Sequence, residues 1–319
     1  MCGCKIRWLH LREENGFSLE STREELYAML CDGSGDASKI DSVPTLSSKH
    51  ENVWEKILIL GNPNNPTGRA ISATELERLA EVCRETHTWL MLDECFQWFL
   101  DTRRECSFVG NLLNGVGDHV ILLNALTKIC SMAGLRLGYG IISNAGLRER
   151  LEKFRQPWSV SAPAQAGGVA AFAVLAAHSE GNLLEWTVKS LQTERPRLAE
   201  KLEELGFIVY PSQTNYLLFR SPDEDSRDYK QGCLEHGILI RACENFEGLN
   251  RHYYRVAVRN RGENERLINI LKEVQSEEKH NVNFVWVKGH ADTVENERCD
   301  FLAREAIASG NLLDDVNYK

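Results

Sequence analysis

No apolar run in this 319-residue chain is long enough to cross a bilayer. The longest, Ala166–Ala177 (AGGVAAFAVLAA), falls short of the roughly 20 residues that a spanning helix takes. The start, MCGCKIRWLHLREE, lacks the apolar core of a secretory signal, which points to the cytoplasm. An excess of positive charge is missing too: 46 acidic and 37 basic residues leave a net charge of −9. That balance excludes a general binder of nucleic acid or anionic membrane and leaves room only for a local basic pocket. Metal-ligand spacing is scarce, since Cys2 and Cys4 have no second Cys or His pair beside them. The ten cysteines lie scattered in apolar segments (Cys83, Cys95, Cys130, Cys233) and read as reduced, buried thiols. No internal repeat is present. What is there is an ordinary globular composition, 43% hydrophobic and 26% charged. The length suits one large domain or two ordinary ones.

The pattern predicts a helix over Leu19–Leu30, then a Ser-, Gly- and Asp-rich loop over Cys31–Glu51. Apolar runs at Ile57–Leu60, Trp89–Leu92, Val120–Leu123 and Leu137–Ile142 predict strands. Ser72-Ala73-Thr74-Glu75 is a capping box that opens a helix to about Thr86. Alternation of this kind predicts an α/β fold, a mostly parallel sheet with helices on both faces. A helical region follows over Ala162–Glu204. Strands at Phe207–Tyr210, Tyr216–Phe219 and Tyr253–Val258, with helices near Arg227–His236 and Glu263–Gln275, predict a smaller α+β domain. Beyond a polar junction at Glu277–Asn281 come a strand-like Val282–Val287, a Gly-His loop and a helix near Cys299–Ala308.

Ligands of open parallel sheets sit at the carboxyl ends of the strands. Those ends carry NPNNPTG (Asn62–Gly68), LDECF with Asp93, and LTKICSMAGLRLGYG with Lys128. Each has an ordinary reading alone: a multiple turn, a helix cap, a solvated lysine. In this order and spacing they resemble the fold type I pyridoxal-phosphate enzymes, over about residues 5–275. The resemblance implies pyridoxal 5'-phosphate as cofactor and Lys128 as the catalytic lysine that holds it. It implies Arg136 and Thr127 as phosphate contacts, Asp93 as partner of the pyridinium nitrogen and Asn65 as donor to the phenolic oxygen. Phe96 stands where many members have tyrosine. The residue types suit the chemistry. An amine adds to an aldehyde and later moves a proton at Cα. A carboxylate keeps the ring nitrogen protonated, and an arginine fork fits a phosphate or carboxylate.

In the smaller domain the resemblance implies Arg255, in YYRVAVRNRGENERL, as the clamp on the substrate carboxylate and Arg241 as a second anion contact. GILIRACENFEGL and QPWSVSAPAQ lean toward the threonine-phosphate decarboxylase branch, which serves cobalamin assembly. Histidinol-phosphate aminotransferase is the neighbouring branch. The substrate expected is a phosphorylated amino acid, with a homodimer as the assembly. Ser159 stands where members often carry Asn. Members have a long segment ahead of the matched region, with a glycine-rich phosphate turn and a ring-stacking aromatic. The expectation is therefore an N-terminally truncated member with an incomplete site. The same order of motifs predicts that Lys128, Asp93, Asn65 and Arg136 converge on one pocket, open on one side and bordered by exposed apolar surface.

The last segment, FVWVKGHADTVENERCDFLAREA, resembles the end of type I ribonuclease H, with His290 and Asp300 at that family's histidine and last metal-binding carboxylate. Two-metal hydrolysis needs several carboxylates around the metals, so these two residues read as a remnant, with no metal and no nucleic-acid partner expected. The domain plan expected is 1–180 for the incomplete cofactor-binding domain, 181–279 for the small domain and 280–319 for the tail. The alternatives are a ribonuclease H-type hydrolase and an inactive fusion remnant.

Overall fold

In the computed structural model, residues 5–31, 56–102, 105–176, 182–276 and 294–309 are described. The chain divides into two compact units, Met1–Ser276 and Glu277–Lys319. In the first unit, α1 (Arg23–Leu30) precedes β1 (Lys56–Gly61), α2 (Ala73–Glu85), β2 (Thr88–Asp93), α3 (Val109–Leu113), β3 (Val120–Ala125), β4 (Gly138–Ile142) and α4 (Ala145–Phe154). Strands β1, β2 and β3 run parallel in sequence order, and β4 joins β3 antiparallel. The run at 137–142 is thus a strand, but it reverses the sheet. Residues 126–137 hold no crossover helix, and a parallel return needs one.

The alternation in β1 explains how this sheet packs. Leu58 and Leu60 turn toward a core built from Leu26, Leu76, Leu79, Leu90, Leu92 and Leu122. Ile57 and Ile59 turn the other way and stay 50% and 62% exposed. Helix α2 is fixed at its start by Ser72, whose hydroxyl accepts from the Glu75 amide at 3.3 Å. Glu75 is itself buried and takes the Arg23 guanidinium in two bonds of 2.8 and 2.7 Å, which ties α1 to α2.

The region expected to be helical over Ala162–Glu204 holds α5 (Ala162–Ala176) and α6 (Leu183–Glu204), with 177–181 outside the described residues. Then come β5 (Ile208–Val209), β6 (Tyr216–Arg220), α7 (Tyr229–Glu235), β7 (Arg241–Ala242), β8 (Tyr253–Ala257) and α8 (Arg261–Ser276). The four strands form an antiparallel sheet in the order β5-β6-β8-β7. Its core includes Leu198, Leu202, Phe219, Tyr254 and Leu271, and Phe207 meets Phe219 and Tyr229 edge-on at 5.0 and 4.9 Å. The same core takes in Phe99, Leu126 and Ile129 from the first sheet's loops, while the buried strand residues of that sheet keep the separate core described above.

Helix α5 carries no charge, yet only Ala164, Gly168 and Ala171 on it are buried. Phe154 and Trp158 just before it are 86% and 96% exposed. The cysteines at 31, 83, 95, 106, 130, 233, 243 and 299 are free. No helix among the described residues is long and apolar enough to cross a membrane. In the second unit, α9 (Val294–Ser309) is described, with Phe301 and Leu302 exposed. The strand expected at 282–287, and His290, lie outside the described residues, as does the side chain of Asp300.

Candidate active site

The parallel register sets the ends of β1 and β2 side by side, Gly61 opposite Asp93, and Asp93 opposite Leu123 of β3. Three loops therefore leave one edge of the sheet: Asn62–Gly68, the turn after Asp93, and Leu126–Lys128. The first loop turns back on itself through Gly68, whose amide donates to the Asn64 carbonyl at 2.7 Å. Gly68 has a φ of +75°, and a Cβ there would collide with the Ser212 side chain. The loop is docked on the stretch between β5 and β6 at that point, since the Gln213 amide donates to the Gly68 carbonyl at 2.9 Å.

Lys128 follows β3 and is exposed, its Nζ 5.5 Å from the centre of the Phe96 ring. Phe96 meets Tyr216 edge-on at 5.0 Å. Tyr216 donates its hydroxyl to the Asn64 carbonyl at 2.7 Å, and the Arg255 guanidinium lies 5.0 Å from its ring centre. Arg255 in turn donates to the side-chain oxygen of Asn65. One cavity of about 530 Å³ is lined by Phe96, Lys128, Tyr216, Arg241, Arg255 and Arg259, among others. Its wall is strongly cationic, which suits an anionic ligand. Arg241 donates to Asn245 Oδ1 at 3.1 Å and sits opposite Arg255 in the β7–β8 register.

Asp93 is exposed, and its Oδ1 accepts from the Cys95 amide at 2.9 Å. Burial pushes the Cys95 thiol up to about 12; the Asp93 carboxylate adds to the rise and Lys128 opposes it. Both charges thus reach the same thiol. Tyr216 is raised by burial, with Arg255 opposing and Asp93 adding, so it keeps its proton at neutral pH.

Lys128, Arg255 and Arg241 therefore share a cavity, and Asn65 is joined to it through Arg255. Asp93, Thr127 and Arg136 are not part of that lining. Thr127 is half-buried beside Lys128. Arg136 is exposed, in a left-handed turn at φ 55°, and donates to the Ala133 carbonyl at 3.1 Å. Tyr216 was missed from sequence; its signal was a ring with a polar tip opening an otherwise apolar strand. Asn62 and Glu94 were missed as well, both buried polar residues at strand ends. Burial pushes the Glu94 carboxyl up to about 7, against bonds from Ser107 and the Phe108 amide that favour its charged form.

The family model described as aminotransferase class I and II matches residues 33–271, and one described as RNase H matches residues 244–308. The threonine-phosphate decarboxylase of Salmonella typhimurium is 34% identical over 273 residues, 85% of this chain and 65% of that protein. The histidinol-phosphate aminotransferase of Methanosphaera stadtmanae is 29% identical over 222 residues, 69% of this chain and 56% of that protein. The chain thus spans less than two thirds of either relative. Among solved structures, the histidinol-phosphate aminotransferase of Clostridium acetobutylicum superposes with a TM-score of 0.62 at 29% identity, over 69% of this chain and 64% of that one. The L-threonine-O-3-phosphate decarboxylase of Porphyromonas gingivalis gives 0.61 at 24% identity, over 73% and 69%, a likeness of fold alone. With most of its length inside the first match, the chain belongs to the aminotransferase class I and II family.

Proposed function

We propose that this chain is, or is part of, a pyridoxal-phosphate-dependent enzyme acting on a phosphorylated amino acid. Decarboxylation of threonine phosphate is the favoured reaction and transamination of histidinol phosphate the neighbouring one. One observation carries this reading: an exposed lysine amine and the guanidinium of Arg255 face one cavity whose wall is cationic. The donor set fits the cofactor. Lys128 offers an amine, and Asp93 an exposed carboxylate at a strand end. Asn65 keeps its amide NH₂ available, because Arg255 engages its oxygen. When bound, the cofactor supplies an electron sink for negative charge at Cα of an amino acid. Lys128 would hold or deliver a proton at Cα. Arg255 and Arg241 would bind the carboxylate and phosphate of the substrate through charge-assisted bonds. Thr127 and Arg136 are proposed as cofactor-phosphate contacts on the strength of the resemblance. A homodimer in the cytoplasm is proposed with it, and the exposed Ile57, Ile59, Phe154 and Trp158 support an assembly.

A ribonuclease reading has less support. The stretch common to both matched windows, 244–271, includes β8 and much of α8, and β8 pairs with β6 and β7. The test is to offer O-phospho-L-threonine alone, and histidinol phosphate together with a 2-oxo acid as amino acceptor, each with added pyridoxal phosphate. Carbon dioxide release from the first supports the decarboxylase, and loss of the amino group from the second supports the aminotransferase. No turnover of either, with no cofactor uptake, removes the proposal.

A further inference from the structure

Two polar side chains with 0% exposure leave the ends of neighbouring parallel strands, Asn62 after β1 and Glu94 after β2. Burying an amide and a carboxyl is costly unless they are hydrogen-bonded. Here both are, and to consecutive residues of one segment. Asn62 Nδ2 donates to the Cys106 carbonyl at 2.7 Å. Glu94 accepts from the Ser107 hydroxyl at 2.6 Å and from the Phe108 amide at 3.0 Å. The strand ends are also tied to each other. The Asn62 amide donates to the Asp93 carbonyl at 2.8 Å, and the Glu94 amide to the Leu123 carbonyl at 2.8 Å. Asn62 Oδ1 accepts from the Ile71 amide at 2.8 Å, which closes the far side of the Asn62–Gly68 loop. Neither residue lines the cavity.

We propose that Asn62 and Glu94 are positioning residues: with Cys106–Phe108 they form a buried polar staple that holds Asn65 and Asp93 in register for the cofactor. The role toward the cofactor rests on the function proposed above; the staple itself does not. Removing either side chain leaves buried partners unsatisfied on the 106–108 segment and frees the two loops to shift against each other. Asn65 and Asp93 are one to three residues from the stapled positions, so the shift reaches them directly.

The experiment compares wild type, Glu94→Gln, Glu94→Ala and Asn62→Ala. Hydrogen exchange is read at the amides of Asn62, Cys95 and Phe108 in the ligand-free chain, with the β6 and β8 amides as internal reference. Pyridoxal phosphate is then titrated and its absorption band recorded. Glu94→Ala and Asn62→Ala should exchange about tenfold faster at the three site amides and not at the reference amides. Their cofactor affinity should fall by about tenfold, with a shifted band, while Glu94→Gln, which keeps an acceptor for Phe108, stays near wild type. Unchanged exchange at the site amides, or equal acceleration everywhere, overturns the staple. Altered exchange with unaltered affinity and band overturns the positioning role. A wild type that takes up no pyridoxal phosphate overturns the proposed function, and the exchange comparison still decides the staple.

Discussion

Arg255 on β8 of the second sheet donates to the side chain of Asn65, 190 positions earlier, on the loop that follows β1 of the first sheet. The bond joins the two sheets directly at the cavity. It also leaves the Arg255 fork partly engaged before any ligand arrives, and it orients the Asn65 amide. An arginine that already holds its neighbour is pre-organised for a carboxylate in a way a lysine would not be.

Arg255→Lys should weaken binding of the anionic substrate by about 10–100-fold, read as the dissociation constant or KM. Arg255→Ala combined with Asn65→Ala should cost less stability than the sum of the two single changes, because both remove the same bond. Additive urea midpoints would show that the contact carries no coupling.

Gly68→Ala should destabilise the fold by about 1–3 kcal/mol. The left-handed φ and the Ser212 side chain both oppose a Cβ at that position. Pairing Gly68→Ala with Ser212→Gly should recover part of the loss. Thermal unfolding measures it, and a midpoint equal to wild type would contradict the close docking of this loop on the stretch between β5 and β6.

Much of this was legible in the chain. Apolar runs located β1, β2 and β3, since parallel strands read as unbroken apolar stretches even where, as in β1, one face stays open. The Ser72 capping box located α2. The order of NPNNPTG, LDECF and the Lys128 segment located three loops on one sheet edge. The rest lay beyond local pattern. β7 has two residues, too few for any periodicity. α4, capped by Asn144, carries little apolar periodicity, and in the structure it has no buried residue. The Arg255–Asn65 bond and the Phe96–Tyr216 pair are tertiary, and no spacing rule reaches across such separations. The direction of β4 follows from what the segment before it lacks, which a reading of apolar runs does not weigh.

The Glu94 carboxyl is raised from 4.5 to about 7, chiefly by burial. A raised acid favours the folded state fully below its unfolded value and loses that contribution as pH climbs through the folded one. From pH 5.5 to 8 wild type should therefore lose about 2 kcal/mol of stability relative to Glu94→Gln, which does not titrate. Chemical unfolding of both proteins across that range is the measurement. Parallel stability curves would show that Glu94 stays ionised throughout.

The ribonuclease-like tail should be catalytically silent. An RNA–DNA hybrid incubated with the protein and magnesium should be cleaved no faster than without the protein. Cleavage by wild type that Asp300→Asn abolishes would overturn this.

If Lys128 is the residue to which the cofactor attaches, incubation with pyridoxal phosphate, borohydride reduction and peptide mapping by mass spectrometry should show it. One dominant pyridoxyl-modified peptide is expected, carrying the label on Lys128 and disappearing in Lys128→Ala. Label spread evenly over other lysines in both proteins, or no label in wild type, would contradict it.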